Sequence, residues 1–151
     1  MSAISRSFPL KIAAEIKQLA AVYDFVRKTA AALELDPAAA YDVQLAIDEA
    51  VTNIIRHGYQ GQQGEIEIEI QQAGGDIVVY VRDDAPPFDP TAVPAPDLTR
   101  PLAEQAPGGR GILLMRQVMD ETSHQLTARG GNELTLIKRG VCRRRSGRGP
   151  S

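Results

Sequence analysis

The chain has 151 residues and a mass of 16.3 kDa, with 43% hydrophobic and 24% charged residues, so a single globular domain is expected rather than a disordered or fibrous chain. No apolar run reaches the roughly 18 residues that span a bilayer, and no signal peptide is evident, which predicts a cytoplasmic protein that does not bind membranes. The lone Cys142 excludes an internal disulfide and argues against a zinc site.

The net charge of −2 conceals an uneven distribution of charge. Residues 138–151 carry six Lys and Arg side chains and no acid, whereas the rest of the chain carries 11 basic and 19 acidic side chains. An acidic body repels phosphates, so we expect no direct nucleic-acid binding, although a DNA-binding regulator is an alternative that the tail leaves open. We assign residues 1–139 to one domain and residues 140–151 to a basic, disordered tail without an assigned function.

The first third of the chain predicts a strand followed by two helices. Alternating apolar residues over 4–10 indicate the strand, and the first helix is expected to begin near Ala13. One stripe of that helix carries apolar residues at spacings of three and four: Ile16, Leu19, Tyr23, Val26, Ala30 and Leu33. Asp36 is an N-cap residue followed by a proline, so a second helix begins there and runs to His57, before Gly58.

The middle of the chain predicts a hairpin and then a long loop. Isoleucine and glutamate alternate over 65–70, the pattern of a half-buried strand, and Gly74-Gly75 turns the chain into a partner strand over 77–81. Residues 85–107 contain seven prolines and little periodicity, which predicts an irregular loop. Loops of this length in compact domains are usually functional.

The last part of the chain completes the sheet. A glycine-rich stretch at 108–111 leads into a third helix, and residues 124–128 and 132–138 indicate two closing strands around a Gly130-Gly131 turn. Together these elements predict an α+β fold, a two-layer sandwich with helices on one face of a mixed, mostly antiparallel sheet.

Three polar residues on the second helix are candidates for chemistry. Glu49, Asn53 and His57 are spaced by four, so they stack along one side of the helix. An amide oxygen is a hard ligand for a metal-bound phosphate, and a carboxylate can act as a base. Spacing alone does not distinguish this site from three solvated side chains.

Two later stretches could complete a ligand site. Asp83 follows a buried strand, where a carboxylate can accept a hydrogen bond from a ligand amine, and Phe88 can supply an apolar wall. Gly109, Arg110 and Gly111 precede the third helix, whose free backbone N–H groups could hold phosphates. The P-loop and dinucleotide fingerprints, the Gly-x-Ser-x-Gly elbow and the His-Glu-x-x-His helix are all absent from the sequence.

In this order, the stretches resemble the GHKL family of ATP-binding domains, which have the Bergerat fold, and within it the anti-sigma factor serine/threonine kinases. Residues 44–59 are similar to the N box, 81–90 to the first glycine box and 109–115 to the second, which is followed by the Met119-Asp120-Glu121 typical of this branch. The similarity extends from Phe8 to Arg139, and three ordered boxes are far more specific than one.

The resemblance implies a role for each matching residue. Glu49 corresponds to the general base, Asn53 to the magnesium ligand, His57 to a phosphate contact and Asp83 to the acceptor of the adenine amino group. The remaining nucleotide-binding candidates are Phe88, Gly109, Arg110, Gly111 and Asn132.

Two positions depart from the family pattern. Ala85 stands where the family usually has glycine, and its β-carbon is expected to narrow the adenine pocket or alter the local backbone. Asn132 stands where related domains often carry threonine, and its amide can still form hydrogen bonds to adenine or to water.

The expected function is that of an ATP-dependent protein serine/threonine kinase. By resemblance, the chain binds Mg-ATP, phosphorylates a serine on a STAS-type anti-sigma factor antagonist and sequesters a sigma factor by partner switching. Homodimers are common in the family, but no surface in the sequence identifies one here. Two alternatives stay open, namely a nucleotide-loaded binding adaptor without turnover and the catalytic domain of a histidine kinase. The sequence identifies neither the sigma factor nor the antagonist.

Overall fold

A computed structural model of the chain describes residues 4–89 and 109–142. Their five strands form one sheet in the order β1-β2-β3-β5-β4, and every neighbouring pair is antiparallel. The strands are β1 (Ile4–Ala13), β2 (Glu65–Ala73), β3 (Asp76–Asp83), β4 (Glu121–Leu126) and β5 (Asn132–Lys138). The expected sheet is therefore confirmed, and its described strands are antiparallel throughout.

Among the described residues, three α-helices cover one face of the sheet. They are α1 (Leu19–Ala32), α2 (Pro37–Asn53) and α3 (Gly109–Val118). Alternation places Ile66, Ile68 and Ile70 of β2 on the inner face, where each is at most 2% exposed, and the glutamates between them on the outer face. The core lies between this inner face and the helices, which confirms the predicted two-layer sandwich.

The first helix begins later than predicted. Ala13 is not helical because β1 continues through it and pairs it with Glu65, and a short 3-10 turn (Ile16–Gln18) then leads into α1. The predicted apolar stripe is also partly wrong, since Ile16 is 46% and Tyr23 51% exposed. Val26, Ala30 and Leu33 of the predicted stripe are buried, and Val22 is buried beside them.

The second helix has the predicted start and an unexpected last turn. Asp36 caps it, since the carboxylate oxygen Oδ1 accepts a 2.8 Å hydrogen bond from the backbone N–H of Ala39. After Asn53 the helix widens into a π-helical turn (Ile54–Gly58), which the N–H of Tyr59 closes by donating to the carbonyl of Ile54 at 2.8 Å. π turns inside helices often occur at functional sites.

The last strands and the start of the tail differ from the predicted bounds. β4 ends at Leu126 instead of residue 128, because the turn before β5 begins with Thr127. Three residues of the predicted tail, 140–142, pack on the β2–β3 turn, where the Cys142 N–H donates to the carbonyl of Gly75 at 2.9 Å. Residues 143–151 and the part of the predicted loop over 90–108 lie outside the described residues. Within the described ranges, no helix has the length and apolar character to cross a membrane.

Candidate functional site

A narrow cavity lies where the ends of β3 and β5 face the second half of α2. Its volume is about 20 Å³, room for about one or two water molecules. Polar side chains in its wall include those of Asn53, Asp83, His124 and Asn132, and the apolar part of the wall includes Phe88 and Met115. The cavity therefore brings together residues from α2, β3, β5 and the start of the loop that the sequence predicted as separate boxes.

Asp83 and Asn132 form the polar end of this cavity. They are direct partners in the β3–β5 ladder, and their inward-facing side chains are 6% and 5% exposed. Asn132 Nδ2 donates to Asp83 Oδ1 at 2.8 Å, and the N–H of Ala85 donates to the same oxygen at 2.8 Å. Burial raises the pKa of Asp83 above its ordinary value, whereas these two hydrogen bonds favour the charged carboxylate.

The remaining hydrogen bonds of Asn132 reach β4 and the loop after β3. Its Oδ1 atom accepts from the Phe88 N–H at 3.0 Å and lies 2.7 Å from Nε2 of His124. Its Nδ2 atom is also 3.2 Å from each of the carbonyl oxygens of Ala85 and Pro86. Asn132 thus connects the acid on β3 with the neighbouring strand and with the segment that leads into residues 90–108.

Helix α2 supplies the opposite wall of the cavity. Asn53 is 6% exposed, and its Nδ2 atom donates to the backbone carbonyl of Glu49 at 2.9 Å. Among the described residues, no group donates to its Oδ1 atom, so this oxygen is available to a ligand. Glu49 lies one turn earlier and His57 lies in the π turn; both are half-buried, and neither is part of the cavity wall.

The π turn is fixed against the end of β3 by Tyr59. Tyr59 is 7% exposed, and its hydroxyl group donates to the carbonyl of Glu65 at 2.7 Å and accepts from the N–H of Asp84 at 2.8 Å. A Cβ atom added to Gly58 would lie 3.2 Å from that of Ala85, which is 2% exposed. The methyl group of Ala85 thus faces the π turn, and Ala85 is not part of the cavity wall.

The first turn of α3 contains all three residues of the predicted phosphate cradle, Gly109, Arg110 and Gly111. The first turn of a helix has backbone N–H groups without helical partners, so it can bind an anion. One side of the same helix reaches the cavity through Met115, which is fully buried. Helix α3 therefore connects the predicted phosphate position with the cavity.

Six described residues of the cavity wall were not among the predicted site residues: Ala50, Ile54, Gly58, Met115, His124 and Leu134. Gly58 lies in the stretch similar to the N box and Met115 in the stretch similar to the second glycine box, but neither was assigned a role. A signal for His124 did exist, because strand alternation places it opposite the buried Leu134 and therefore on the inner face of the sheet. A histidine at an inward-facing position is uncommon enough to mark a candidate site.

The arrangement suits a ligand with an amine at one end and a metal-bound anion at the other. A buried carboxylate can accept a hydrogen bond from the amine, an amide oxygen on the facing helix can coordinate a hard cation, and the first turn of a nearby helix can bind oxyanions. The part of the chain that the structure describes has no group of three or more His, Cys, Asp or Glu side chains suited to holding a metal alone.

Comparison with known proteins agrees with this arrangement. Residues 12–138 match the family of the histidine kinase-like ATPase domain. The serine/threonine-protein kinase BtrW of Bordetella bronchiseptica is 34% identical over 97 residues, which cover 64% of this chain and 68% of that protein. The anti-sigma F factor of Clostridium kluyveri is 30% identical over 118 residues, which cover 76% of this chain and 83% of that protein.

A solved structure shows the same fold. The crystal structure of the RsbU and RsbW domains of a Mycobacterium tuberculosis protein superposes with a TM-score of 0.60 at 23% identity, and the match covers 87% of this chain and 32% of that one. The family match extends over most of the chain, and the two relatives named above, at 34% and 30% identity, are matched over more than two thirds of their length. The chain therefore belongs to the histidine kinase-like ATPase domain family, in the branch that contains the anti-sigma factor serine-protein kinases.

Proposed function

We propose that this protein is a Mg-ATP-dependent serine kinase that phosphorylates a STAS-type anti-sigma factor antagonist and binds a sigma factor in the cytoplasm. The observation that carries the proposal is the pairing of a buried carboxylate, Asp83, with an available amide oxygen, Asn53 Oδ1, on opposite walls of one cavity. The names of the relatives, which include a serine-protein kinase RsbW of Bacillus cereus, support the same activity.

The adenine ring is assigned to the cavity, with its amino group donating to Asp83. Among the described residues, the donors to this carboxylate are Asn132 and the Ala85 N–H, and both donate to Oδ1, which leaves Oδ2 for the ligand. A volume of about 20 Å³ is too small for a purine, so we expect the side chain of Phe88, at the start of the loop, to move when the base binds.

The residues present also fit a magnesium ion. Mg²⁺ in nucleotide sites is commonly held by one or two protein oxygens together with phosphates and water, so the single amide oxygen of Asn53 is a sufficient protein ligand. When bound, the ion neutralises charge that develops on the phosphates during transfer. The Nδ2 atom of Asn53 donates to the carbonyl of Glu49 and thereby keeps the amide oxygen turned away from the helix axis.

Glu49 is assigned as the base that accepts the proton of the attacking serine hydroxyl. It is half-buried one helical turn from Asn53, so a base and a metal ligand follow each other along α2. We assign His57 in the π turn and the first turn of α3, with Arg110, as contacts to the phosphates. Positioning and charge stabilisation of this kind supply most of the catalysis in phosphoryl transfer.

The partners follow from the kind of switch that such a kinase operates. A sigma factor and an antagonist that compete for the protein would be exchanged by differences in affinity, and phosphorylation would lower the affinity for the antagonist. A homodimer is part of the proposal because it is common in the family. A nucleotide-loaded adaptor without turnover is the second candidate, and the feature that favours it is Ala85, whose methyl group faces Gly58 in the cavity wall.

Intact-mass spectrometry tests the proposal. The protein is incubated with Mg-ATP and a candidate STAS-type antagonist, and one acid-stable phosphoryl group per antagonist is expected. The Glu49→Gln variant should bind ATP as the wild type does and transfer no phosphate. Binding of ATP without transfer to any antagonist would support the adaptor instead, and an acid-labile phosphohistidine would indicate a histidine kinase.

A further inference from the structure

We propose that His124 is a positioning residue that makes the nucleotide site selective for purines with a 6-amino group. The inference deepens the proposed function and rests on it, since it assumes that the cavity beside Asp83 binds the base. The imidazole is nearly buried, with a side chain 8% exposed, and it lies in the cavity wall. Neither the sequence motifs nor the roles assigned above use this residue.

The orientation of the Asn132 amide is fixed by the chemistry of its neighbours. Nδ2 lies near a carboxylate oxygen and two carbonyl oxygens, which can only accept hydrogen bonds. Oδ1 lies near the N–H of Phe88, which can only donate. A flipped amide would bring its oxygen against three acceptors and its NH₂ group against a donor, so one orientation is strongly preferred.

This orientation determines the proton position on His124. Nε2 is 2.7 Å from Asn132 Oδ1, and because that oxygen only accepts, Nε2 must carry a proton. A carboxylate oxygen of Asp89 lies 4.0 Å from Nδ1. In its neutral form the ring therefore has the Nε2–H tautomer, with an unprotonated Nδ1 atom.

The contact of His124 matters most once a nucleotide is bound, because it then orients the Asn132 amide. The other donor to Asn132 Oδ1 is the Phe88 N–H, which belongs to the segment that we expect to move when a purine enters the cavity. His124 is held in β4 by pairing with β5, so it stays in place and continues to orient the amide. The amide in turn donates to Asp83 Oδ1 and keeps the carboxylate an acceptor, which matches a 6-amino group and opposes a 6-oxo group.

Two variants and one nucleotide analogue test this role. Calorimetry with magnesium measures the affinities for ATP and for purine riboside triphosphate, which lacks the 6-amino group. We expect the wild-type preference for ATP to fall about three- to tenfold in His124→Leu, which removes the donor. It should stay within about twofold in His124→Gln, whose amide NH₂ replaces Nε2–H. A ratio that His124→Leu leaves unchanged, or that both variants reduce equally, would overturn the proposal.

The tautomer provides a second readout that does not depend on the folding of a variant. In the ¹⁵N-histidine NMR spectrum of the wild-type protein, with His57 identified by a His57→Gln variant, we expect the neutral His124 ring to carry its proton on Nε2. A proton on Nδ1 would refute the positioning role. If the wild type binds neither nucleotide, the proposed function fails; tight ATP binding with an unchanged ratio in His124→Leu overturns only the role of His124.

Discussion

Gly131 packs against the carbonyl oxygen of Asp83 so closely that a Cβ atom on this glycine would lie 2.2 Å from that oxygen. The turn between β4 and β5 and the end of β3 thus meet backbone to backbone, beneath the acid assigned to adenine. The absence of a side chain at Gly131 is therefore a condition for the geometry of the Asp83–Asn132 pair.

The substitution Gly131→Ala should consequently affect both stability and binding. Because the contact involves backbone atoms that cannot rotate away, we expect a loss of about 1–3 kcal/mol in the free energy of unfolding, together with weaker ATP binding. Denaturant unfolding and calorimetry measure the two effects. Gly130→Asn is the matched control, since Gly130 has a φ of 85° with no atom near its Cβ position, and asparagine tolerates this region. Equal effects of the two substitutions would contradict the packing argument.

Asp83→Asn separates the nucleotide-binding role of the acid from its effect on stability. The new amide oxygen can still accept from Asn132 and the Ala85 N–H, but its NH₂ group opposes an adenine amino group. We expect ATP affinity to fall about 10- to 100-fold. Asp84→Asn is the control, because the Asp84 side chain is 48% exposed and forms an ion pair with the exposed Arg129. A similar loss in both variants would refute the specific role of Asp83.

In the absence of nucleotide, the effect of Asp83→Asn on the stability of the fold should depend on pH. Because burial raises the pKa of Asp83 in the folded state, protonation stabilises the fold; this contribution is complete below the ordinary value of 3.8 and is lost as the pH rises through the folded-state pKa. At neutral pH, Asp83→Asn should therefore be at least as stable as the wild type. Acidification should reduce the advantage of the variant, as measured by thermal unfolding across pH. An advantage that grows on acidification would contradict this linkage.

The sequence correctly predicted the elements that depend on local residue patterns. The glutamate and isoleucine alternation of β2, the Asp36 cap and the glycine turns predicted the right elements because each is a local effect. The beginning of α1 was missed because pairing of Ala13 with Glu65, far away in the chain, extends β1 and delays the helix. Tertiary contacts of this kind override local preference.

The candidate site also contains residues that the sequence identified and residues that only the fold reveals. The boxes identified Asn53 and Asp83, and the wider resemblance identified Asn132; the fold brings all three to one cavity. They could not identify His124, since its importance arises from a hydrogen bond between neighbouring strands. They could not show where the Ala85 methyl group lies: it faces Gly58, which is part of the cavity wall.

Asn53→Ala should remove the magnesium-dependent part of ATP binding. The wild type is expected to bind ATP more tightly with Mg²⁺ than with EDTA, and this difference should shrink in the variant because the amide oxygen is lost. Calorimetry under the two conditions measures it, with Thr52→Ala, one residue earlier on α2, as the control. An undiminished magnesium effect in Asn53→Ala would exclude this residue as the ligand.

Arg82 provides a test of the outer face of the sheet, away from the cavity. Its guanidinium contacts Glu67 at 3.1 Å, Glu69 at 3.0 Å and Glu133 at 2.6 Å, so Arg82→Met leaves three carboxylates close together. We expect a loss of about 1 kcal/mol in stability, with unchanged ATP affinity. Lys17→Met, which removes an exposed ion pair, should have almost no effect.

The stability deficit of Arg82→Met should depend on pH. Hydrogen bonds from Gln71 and Ser7, with a smaller contribution from Arg82, hold the pKa of Glu69 below its ordinary value. The stabilisation from this carboxylate is therefore present above its unfolded-state pKa and is lost as the pH falls through its folded-state pKa. The difference between the wild type and the variant should narrow in acid, and a difference that persists there would exclude a charge effect.

The central claim is that residues from α2, β3 and α3 converge on one Mg-ATP molecule. Isothermal titration calorimetry of the folded protein with ATP and magnesium tests it most directly. We expect saturable binding of one nucleotide per chain that weakens strongly in Asp83→Asn. The absence of binding heat at several temperatures, or binding that Asp83→Asn leaves unchanged, would contradict it.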